Sequence, residues 1–511
     1  MTRLAWVIDQ TKCIGCHACT TSCKSENDVA LGVFRTWVKN VDVGTFPDVR
    51  RHFAVLRCNH CEDAPCVEIC PVTAMYQRPD GLVDFDESLC IGCKACMQAC
   101  PYDAIYMDPD SNTAEKCNFC SHRVDQGLLP ACVVVCPVEA LLFGDMDDPT
   151  SKVGQALAGH RVTVRRPEQR TRPKAFYIGA HEAALDPLAA RHDEMYMWAD
   201  NVGGQRGGGT GNGRTNGGHS RKLPVAPPAR VAYDIPKPRP WGWKVSSYIW
   251  TKSLAAGAAL VPALMHITGL ETSGRLFGRV APALALLFLA LTGVLLVADL
   301  KRPERFWTIL VRPQWRSWLA RGAFVITAYA AVLVPWAWAS WTGREALLHA
   351  LAWPVVVLAL LTALYTAALF GQCEGRDLWQ SRWLVLHLAL HAPVAALAAF
   401  ALLAPLAGGN VLTISMGEAA TALLLLSALL ATGEALQGHK SPNAAAAASA
   451  QWRGRYAPLQ WTAVLGGALL PAALLAAGPV SLYPLAGALA LAGQWLQAHA
   501  LVLAGQNPPI S

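Results

Sequence analysis

Most of this chain lacks cysteine. Sixteen of its 17 cysteines lie between Cys13 and Cys136, and the last, Cys373, stands alone. Long apolar runs are missing from that same N-terminal part and begin only after Trp243. The opening segment, Met1 to Ile8, offers no apolar core of signal-peptide length before Asp9 and Lys12, and no twin-arginine pair precedes an apolar stretch. The cysteine-rich part is therefore expected to begin in the cytoplasm. In that reducing compartment clustered cysteines read as metal ligands and not as disulfides. The net charge of +7 is carried largely beside hydrophobic spans, where it sets membrane orientation, so no nucleic-acid partner is expected. The 511 residues read as a soluble cysteine-rich module followed by a membrane module.

The cysteines fall into four groups of four. Cys13, Cys16, Cys19 and Cys23 are spaced C-x2-C-x2-C-x3-C. Cys58, Cys61, Cys66 and Cys70 follow with a longer middle gap and end in Pro71. Cys90, Cys93, Cys96 and Cys100 repeat the first spacing and end in Pro101. Cys117, Cys120, Cys132 and Cys136 have an 11-residue middle gap and end in Pro137. A cubane cluster needs four thiolates converging from different directions. Three come from one tight loop and the fourth arrives from elsewhere, often from a partner group's last cysteine. The proline after that cysteine fixes the chain's exit. Zinc ribbons also use C-x2-C pairs, but consecutive quartets ending in Cys-Pro favour iron–sulfur. Cys13-Ile14-Gly15-Cys16-His17 also matches the haem-attachment pattern. Cys19 and Cys23 continue the ferredoxin spacing, so no haem is expected there.

CIGCHAC at Cys13 and CIGCKAC at Cys90 are near copies, which suggests two duplicated ferredoxin folds of short strands and helices. Alternation marks 81–86 and 104–108 as short strands. This four-group pattern resembles the iron–sulfur subunit of the DMSO reductase and polysulfide reductase families of molybdenum oxidoreductases. The resemblance runs from about Leu4 to Gly144 and includes CNHCEDAPCVEICP and CIGCKACMQACPYDAIY. It implies an interleaved ligand scheme. Cys13, Cys16, Cys19 and Cys136 would hold cluster one, and Cys117, Cys120, Cys132 and Cys23 cluster two. Cys58, Cys61, Cys66 and Cys100 would hold cluster three, and Cys90, Cys93, Cys96 and Cys70 cluster four. Some relatives carry tryptophan at the position of Cys93 and hold a three-iron cluster, so four [4Fe–4S] clusters are expected here.

Residues 1–184 are read as this cluster domain, 185–243 as a linker and 244–511 as the membrane domain. The tract from Asn201 is glycine-rich and low in complexity, and Pro224 to Pro240 is proline-rich and basic, so a flexible tether running extended is expected. Eight apolar runs follow, near 246–267, 280–300, 319–341, 348–371, 384–405, 411–433, 459–478 and 481–503, each long enough to cross the hydrocarbon core. Pro262, Pro335 and Pro393 lie inside them, which a packed membrane bundle tolerates. One side receives Arg221, Lys222, Arg230, Lys237, Arg239 and Lys244, then Lys301, Arg302, Arg305, Arg312, Arg316 and Arg321. Arg376, Arg382, Lys440, Arg453 and Arg455 fall on that side too, while the other receives Arg275, Arg279 and Arg344. The positive-inside rule puts both termini and the cluster domain in the cytoplasm.

The segments 299–307 and 370–381, with the opening 248–257, resemble the NrfD-type anchor of polysulfide reductase. That resemblance spans most of 245–460 and implies about eight helices, no haem, and electron exchange with a quinone near the cluster subunit. The fold class is thus an α+β duplicated ferredoxin-like domain followed by an all-α eight-helix transmembrane domain. Polysulfide reductase itself works on the outer face with a separate cluster subunit. This chain is fused and is expected to face inward, so its substrate does not follow from the family name.

Ionisable groups in membrane spans are costly and usually face a cavity or a partner. Lys252, Asp299, Glu374, His387 and Glu434, with His499, gather towards the expected cytoplasmic ends. Quinone reduction takes two electrons and two protons, so a site needs carbonyl partners, a titratable relay and an apolar slot. His387 and Lys252 suit the first role; Asp299, Glu374 and Glu434 suit the second. All five are expected to border one cavity facing the clusters. Capping of the bundle is the bland reading of such residues. His266, His349 and His391 read as core histidines or as an extended proton path.

The chain is therefore expected to be an electron-transfer and quinone-reactive subunit, working with menaquinone or ubiquinone in the lipid. No stretch resembles a molybdopterin-binding domain, so substrate chemistry is expected on a separate molybdopterin or tungstopterin subunit. The alternative is a component of a redox-coupled proton or ion pump.

Overall fold

The computed structural model describes residues 2–191, 229–270, 274–407, 411–439 and 441–511. The glycine-rich tract from Asn201, the basic pair Arg221 and Lys222, and Lys440 lie outside the described residues.

The cluster domain is organised by β1 (Leu4–Asp9), whose six residues are all buried. A strand buried on both faces needs a layer on each side. Leu4, Trp6 and Ile8 face the cysteine core, while Ala5 and Val7 pack on Val153 and Ala156. The short helices α1 (Ala18–Glu26), α2 (Pro65–Ile69), α3 (Ala95–Ala99), α4 (Ser121–Val124) and α5 (Ala131–Val134) surround the cysteine loops. Helices α6 (Lys152–Gly159) and α7 (Glu182–Leu185) lie outside them; α6 supplies Val153 and Ala156.

β2 (Thr36–Thr45) and β3 (Asp48–Arg57) form a long antiparallel hairpin. Two small antiparallel hairpins follow, β4 (Met75–Gln77) with β5 (Val83–Phe85), and β6 (Ile105–Met107) with β7 (Ala114–Lys116). Each comes just after a Cys-Pro pair, and together they contain the two strands expected from alternation. β8 (Leu141–Asp145), β9 (Val162–Thr163) and β10 (Ala175–Ile178) complete the first sheet, in order β8-β1-β10-β9, with β10 parallel to β1.

Part of the stretch read as a tether carries structure. β11 (Ala229–Tyr233) pairs with β2, so the second sheet has the order β11-β2-β3. Ile235 and Trp241 are buried beyond it. Valine and tyrosine in Ala-Arg-Val-Ala-Tyr suit a strand, and the open edge of β2 supplies the partner.

Among the described residues, eight long helices form the membrane domain. They are α8 (Trp243–Ile267), α9 (Ala281–Asp299), α11 (Trp318–Thr342), α12 (Glu345–Gly371), α13 (Trp383–Leu402), α14 (Val411–Leu436), a composite span over 457–477, and α18 (Tyr483–Gly505). The composite joins α16 (Ala457–Trp461) to α17 (Leu470–Ala477) through a π-helical stretch. The short α10 (Thr308–Val311) and α15 (Pro442–Trp452) lie in the connections. Seven of the eight are apolar and long enough to cross a membrane. The eighth, α8, has the length but carries Ser246, Thr251, Lys252 and Ser253, all buried. It packs against α9, α12, α13 and α18, which shelter those polar groups from lipid. Gly257 permits its close approach to α13, since a Cβ there would overlap the Ala392 carbonyl oxygen.

Candidate functional site

The two copied loops have the same backbone. Gly15 and Gly92 both sit at φ +68°, and His17 and Lys94 at φ 59° and 64°. Each left-handed residue starts a short helix that carries the next cysteine, Cys19 or Cys96. After Pro71, Pro101 and Pro137 the chain again turns left-handed, at Thr73, Asp103 and Glu139. That turn brings backbone N–H groups back onto the preceding sulfur. Met75 N donates to Cys70 Sγ at 3.5 Å and Ala140 N to Cys136 Sγ at 3.3 Å. His60 N and Ala114 N likewise donate to Cys58 and Cys90. Such donors stabilise negative charge on cluster sulfurs.

Cysteines distant in sequence gather in space. Cys13 lies beside Cys136 and Cys16, and Cys23 beside Cys117, Cys132 and Cys120. Cys66 lies beside Cys100, Cys58 and Cys61, and Cys93 beside Cys70 and Cys90. One cavity is lined by Cys70, Cys90, Cys93 and Cys96, and another by Cys23, Cys117, Cys120 and Cys132. Burial pushes the thiols of Cys19 and Cys100 up to about 11 and those of Cys93 and Cys117 up to about 12. Close-set buried thiolates need cations among them, which is the chemistry iron supplies.

Arg57, at the end of β3, escaped the sequence reading. It is fully buried, donates from Nη1 to Cys132 Sγ at 3.2 Å, and lies near Cys117 and Cys19. Its guanidinium also covers the Trp6 ring at 4.3 Å. Nε and Nη2 have no hydrogen-bond partner among the described residues, which suits an anionic group between those cysteines. No periodicity marks Arg57; its place directly before Cys58 was the available signal.

The Cys90–Cys100 segment docks on the membrane domain. Lys301 N and Arg302 N donate to the Gly92 and Ile91 carbonyls, and Gly375 N to that of Ala99. Arg302 also donates to Ser111 O, Arg305 to Glu87 O and Cys90 O, and Arg376 to Gln98 Oε1. Several cations read as topology signals are thus spent on cluster-domain oxygens. Gln98 reaches Gln506, which also bonds both backbone groups of Trp241. Trp241 Nε1 in turn donates to Cys93 O at 3.2 Å.

Beside Cys93 lies an apolar cavity of about 240 Å³. Trp241, Tyr248, Asp299, Phe306, Ile309 and Tyr365 are among its walls. Asp299 pairs with Lys94 at 2.8 Å, so the second copied loop and this cavity share an ion pair.

The five expected quinone residues do not converge, which corrects that expectation. Asp299 lines the cavity. Lys252 sits behind the Tyr365 ring at 4.6 Å, donating to Ala363 O and Thr366 Oγ1. His387 and Glu434 bond each other at 3.0 Å and line a separate pocket with His391, Gln451 and Gln460. Glu374 lies in the loop after α12. Burial, and then Glu68 and Asp63, push its carboxyl up to about 7. His499 bonds Ser246 at 3.1 Å. Helix positions were legible, but the faces they present depend on how eight helices pack.

Buried cysteines gathered from distant loops and joined to a membrane bundle define the class, an iron–sulfur electron-transfer subunit with its own membrane anchor. Two matches to the 4Fe-4S dicluster domain cover residues 5–71 and 49–146. The family described as polysulphide reductase, NrfD, matches residues 234–509, and the chain belongs to that family. The N-terminal part is similar to a tetrathionate reductase subunit of Salmonella typhimurium, 45% identical over 37% of this chain and 77% of the relative. It is also similar to the arsenate respiratory reductase iron-sulfur subunit of Shewanella sp. strain ANA-3, 38% identical over 34% of this chain and 96% of the relative. A sulfite dehydrogenase subunit of Allochromatium vinosum is 40% identical over 35% of this chain and 83% of its own length. The chain is a membrane-anchored electron-transfer subunit of a reductase-type complex, holding [4Fe–4S] clusters and working with a catalytic partner subunit.

Proposed function

We propose that the chain carries electrons between a molybdopterin or tungstopterin subunit and membrane quinone through four [4Fe–4S] clusters, ligated as the interleaved scheme implies. The observation that carries this reading is the apolar cavity of about 240 Å³ directly beside Cys93. Bound clusters supply one-electron carriers, and the protein's residues do the rest. In this reading residues 1–184 hold the clusters, 244–511 form the membrane part and 185–243 join them. Cys16 is exposed and Cys13 half-buried, so cluster one faces the catalytic partner. Cys93 and Trp241 form the wall towards quinone. The cavity's apolar walls take a ring and tail, and Asp299 holds or passes a proton. Basic loops on the cluster side support a cytoplasmic placement of that domain and of both termini. The relatives' names support a sulfur or arsenic oxyanion as the partner's substrate.

A second reading, redox-coupled proton or ion movement, draws on the His387–Glu434 pair, which lies away from the cavity. The first reading predicts about 16 iron atoms per purified chain and low-temperature EPR signals from interacting reduced clusters. Asp299→Asn should weaken quinone-analogue binding and slow quinone-linked turnover at unchanged iron content. Stoichiometric zinc with negligible iron would sink the cluster reading, and unchanged analogue binding would sink the assigned cavity.

A further inference from the structure

On the face of the bundle opposite the clusters, α8 ends where α12 begins. His266 lies in the last turn of α8, and Glu345 and His349 in the first two turns of α12. An i,i+4 spacing puts Glu345 and His349 on one side of their helix. One ligand atom from each of the three residues lies within 4.8 Å of the other two. The His266 and His349 rings are 4.2 Å apart, and His266 Nδ1 is 4.0 Å from a Glu345 oxygen.

Two further observations separate this cluster from an ordinary surface contact. The His266 side chain is only 8% exposed, and its Nε2 has no hydrogen-bond partner among the described residues. A buried imidazole nitrogen of this kind is normally satisfied by a protein group or a ligand. Glu345 and His349 are exposed, so solvent reaches the cluster from one side. Arg344, the neighbouring cation, is turned onto the Trp338 ring at 4.2 Å and leaves the carboxylate open.

We propose that His266, Glu345 and His349 form a binding site for a divalent transition metal such as Zn2+. Two imidazoles and a carboxylate are a recurrent zinc ligand set, with the fourth position left to water or an external ligand. Tetrahedral ligands at about 2.0–2.1 Å from zinc stand about 3.4 Å apart. The exposed Glu345 and His349 side chains rotate to close that difference, while buried His266 stays fixed. The metal clamps the end of α8 to the start of α12. The site is separate from the cysteine quartets and from the quinone cavity, and its test does not depend on either.

The test uses the full chain purified in detergent with its clusters intact. After chelator washing, Zn2+ alone is added, excess is removed, and zinc and iron are counted in the same sample. We expect about one zinc retained per chain, with X-ray absorption showing two imidazole ligands, and no change in iron. His349→Ala, at an exposed position, should lower zinc affinity at least tenfold. Glu345→Gln should lower it less. Retention unchanged in His349→Ala and in the His266→Ala, His349→Ala double variant would overturn the site, as would no retained zinc in the parent chain. Zinc bound through sulfur would equally overturn it, since it would mark displaced clusters.

Discussion

The loops Cys13–Cys19 and Cys90–Cys96 share a backbone and differ in what they face. Ile14 is 56% exposed, whereas its counterpart Ile91 is 1% exposed. Cys16 is open to solvent, while Cys93 is covered by Trp241 and borders the membrane cavity. His17 meets the edge of Tyr233, and Lys94 at the same place pairs with Asp299. One loop geometry thus sits in two settings. The loop fixes the sulfurs, and the residues packed around it decide whether that end is open to solvent or covered by the membrane domain.

The strongest way to break the comparison is to remove the matching cysteines. Cys93→Ser and Cys16→Ser should each disturb one cluster and lower quinone-linked electron flow tenfold or more, equivalent to about 1.4 kcal/mol of barrier. The Cys93 variant alone should also alter quinone-analogue binding. If Cys16→Ser altered that binding and Cys93→Ser did not, the direction of the wiring would be reversed.

The shared glycines should leave electron flow largely intact and show their effect in stability instead. A Cβ on Gly92 would stand 2.5 Å from Lys301 Cβ and 3.0 Å from its backbone nitrogen, whereas one on Gly15 would meet the side of the Phe53 ring. Both positions have positive φ, worth about 1 kcal/mol of strain for alanine. Gly15→Ala should cost little beyond that, because a ring can rotate. Gly92→Ala should cost about 2–3 kcal/mol, because backbone must move. Denaturation midpoints followed by cluster absorbance would rank them, and equal costs would show that the junction yields.

The least effect concerns Glu374, at the edge of the junction. Its carboxyl titrates at about 7 in the fold and near 4.5 when unfolded. A raised carboxylate pKa means that the folded state holds the extra proton, so stability falls as pH rises through that window and the loss is complete above it. Solvent screening at this partly exposed group limits the change to about 1 kcal/mol. Glu374→Gln should flatten the pH dependence of unfolding between those values; an unchanged slope would assign it to other groups.

The iron–sulfur character was legible because cysteine spacing is written along the chain, whereas the sharing of ligands between groups came only from the family resemblance. The membrane spans were legible because apolar length is a local property, and the run at 246–267 was among them. Its buried Lys252 and Ser253 lower its apolarity, and its neighbours explain how α8 shelters them. β11 was hidden because five residues among prolines carry little pattern, and their partner β2 lies far back in the sequence. The cavity was hidden for a similar reason. Its walls come from several helices, the loop after α9 and Trp241, and no single segment announces it. His387 and Glu434 satisfy each other instead of joining Asp299.

Arg57 bears on reduction potential. Its guanidinium is buried against Cys132, Cys117 and Cys19, with two nitrogens left without partners among the described residues. At the Cys93 end the nearest comparable cation, Lys94, is already matched by Asp299. An uncompensated positive charge favours the reduced, more negative form of whatever lies beside it. At an effective dielectric of about 20 and a separation of about 6 Å, that preference is on the order of 100 mV. A cluster held beside Arg57 would be easier to reduce for that charge, and Arg57→Gln would remove the preference without touching a single ligand.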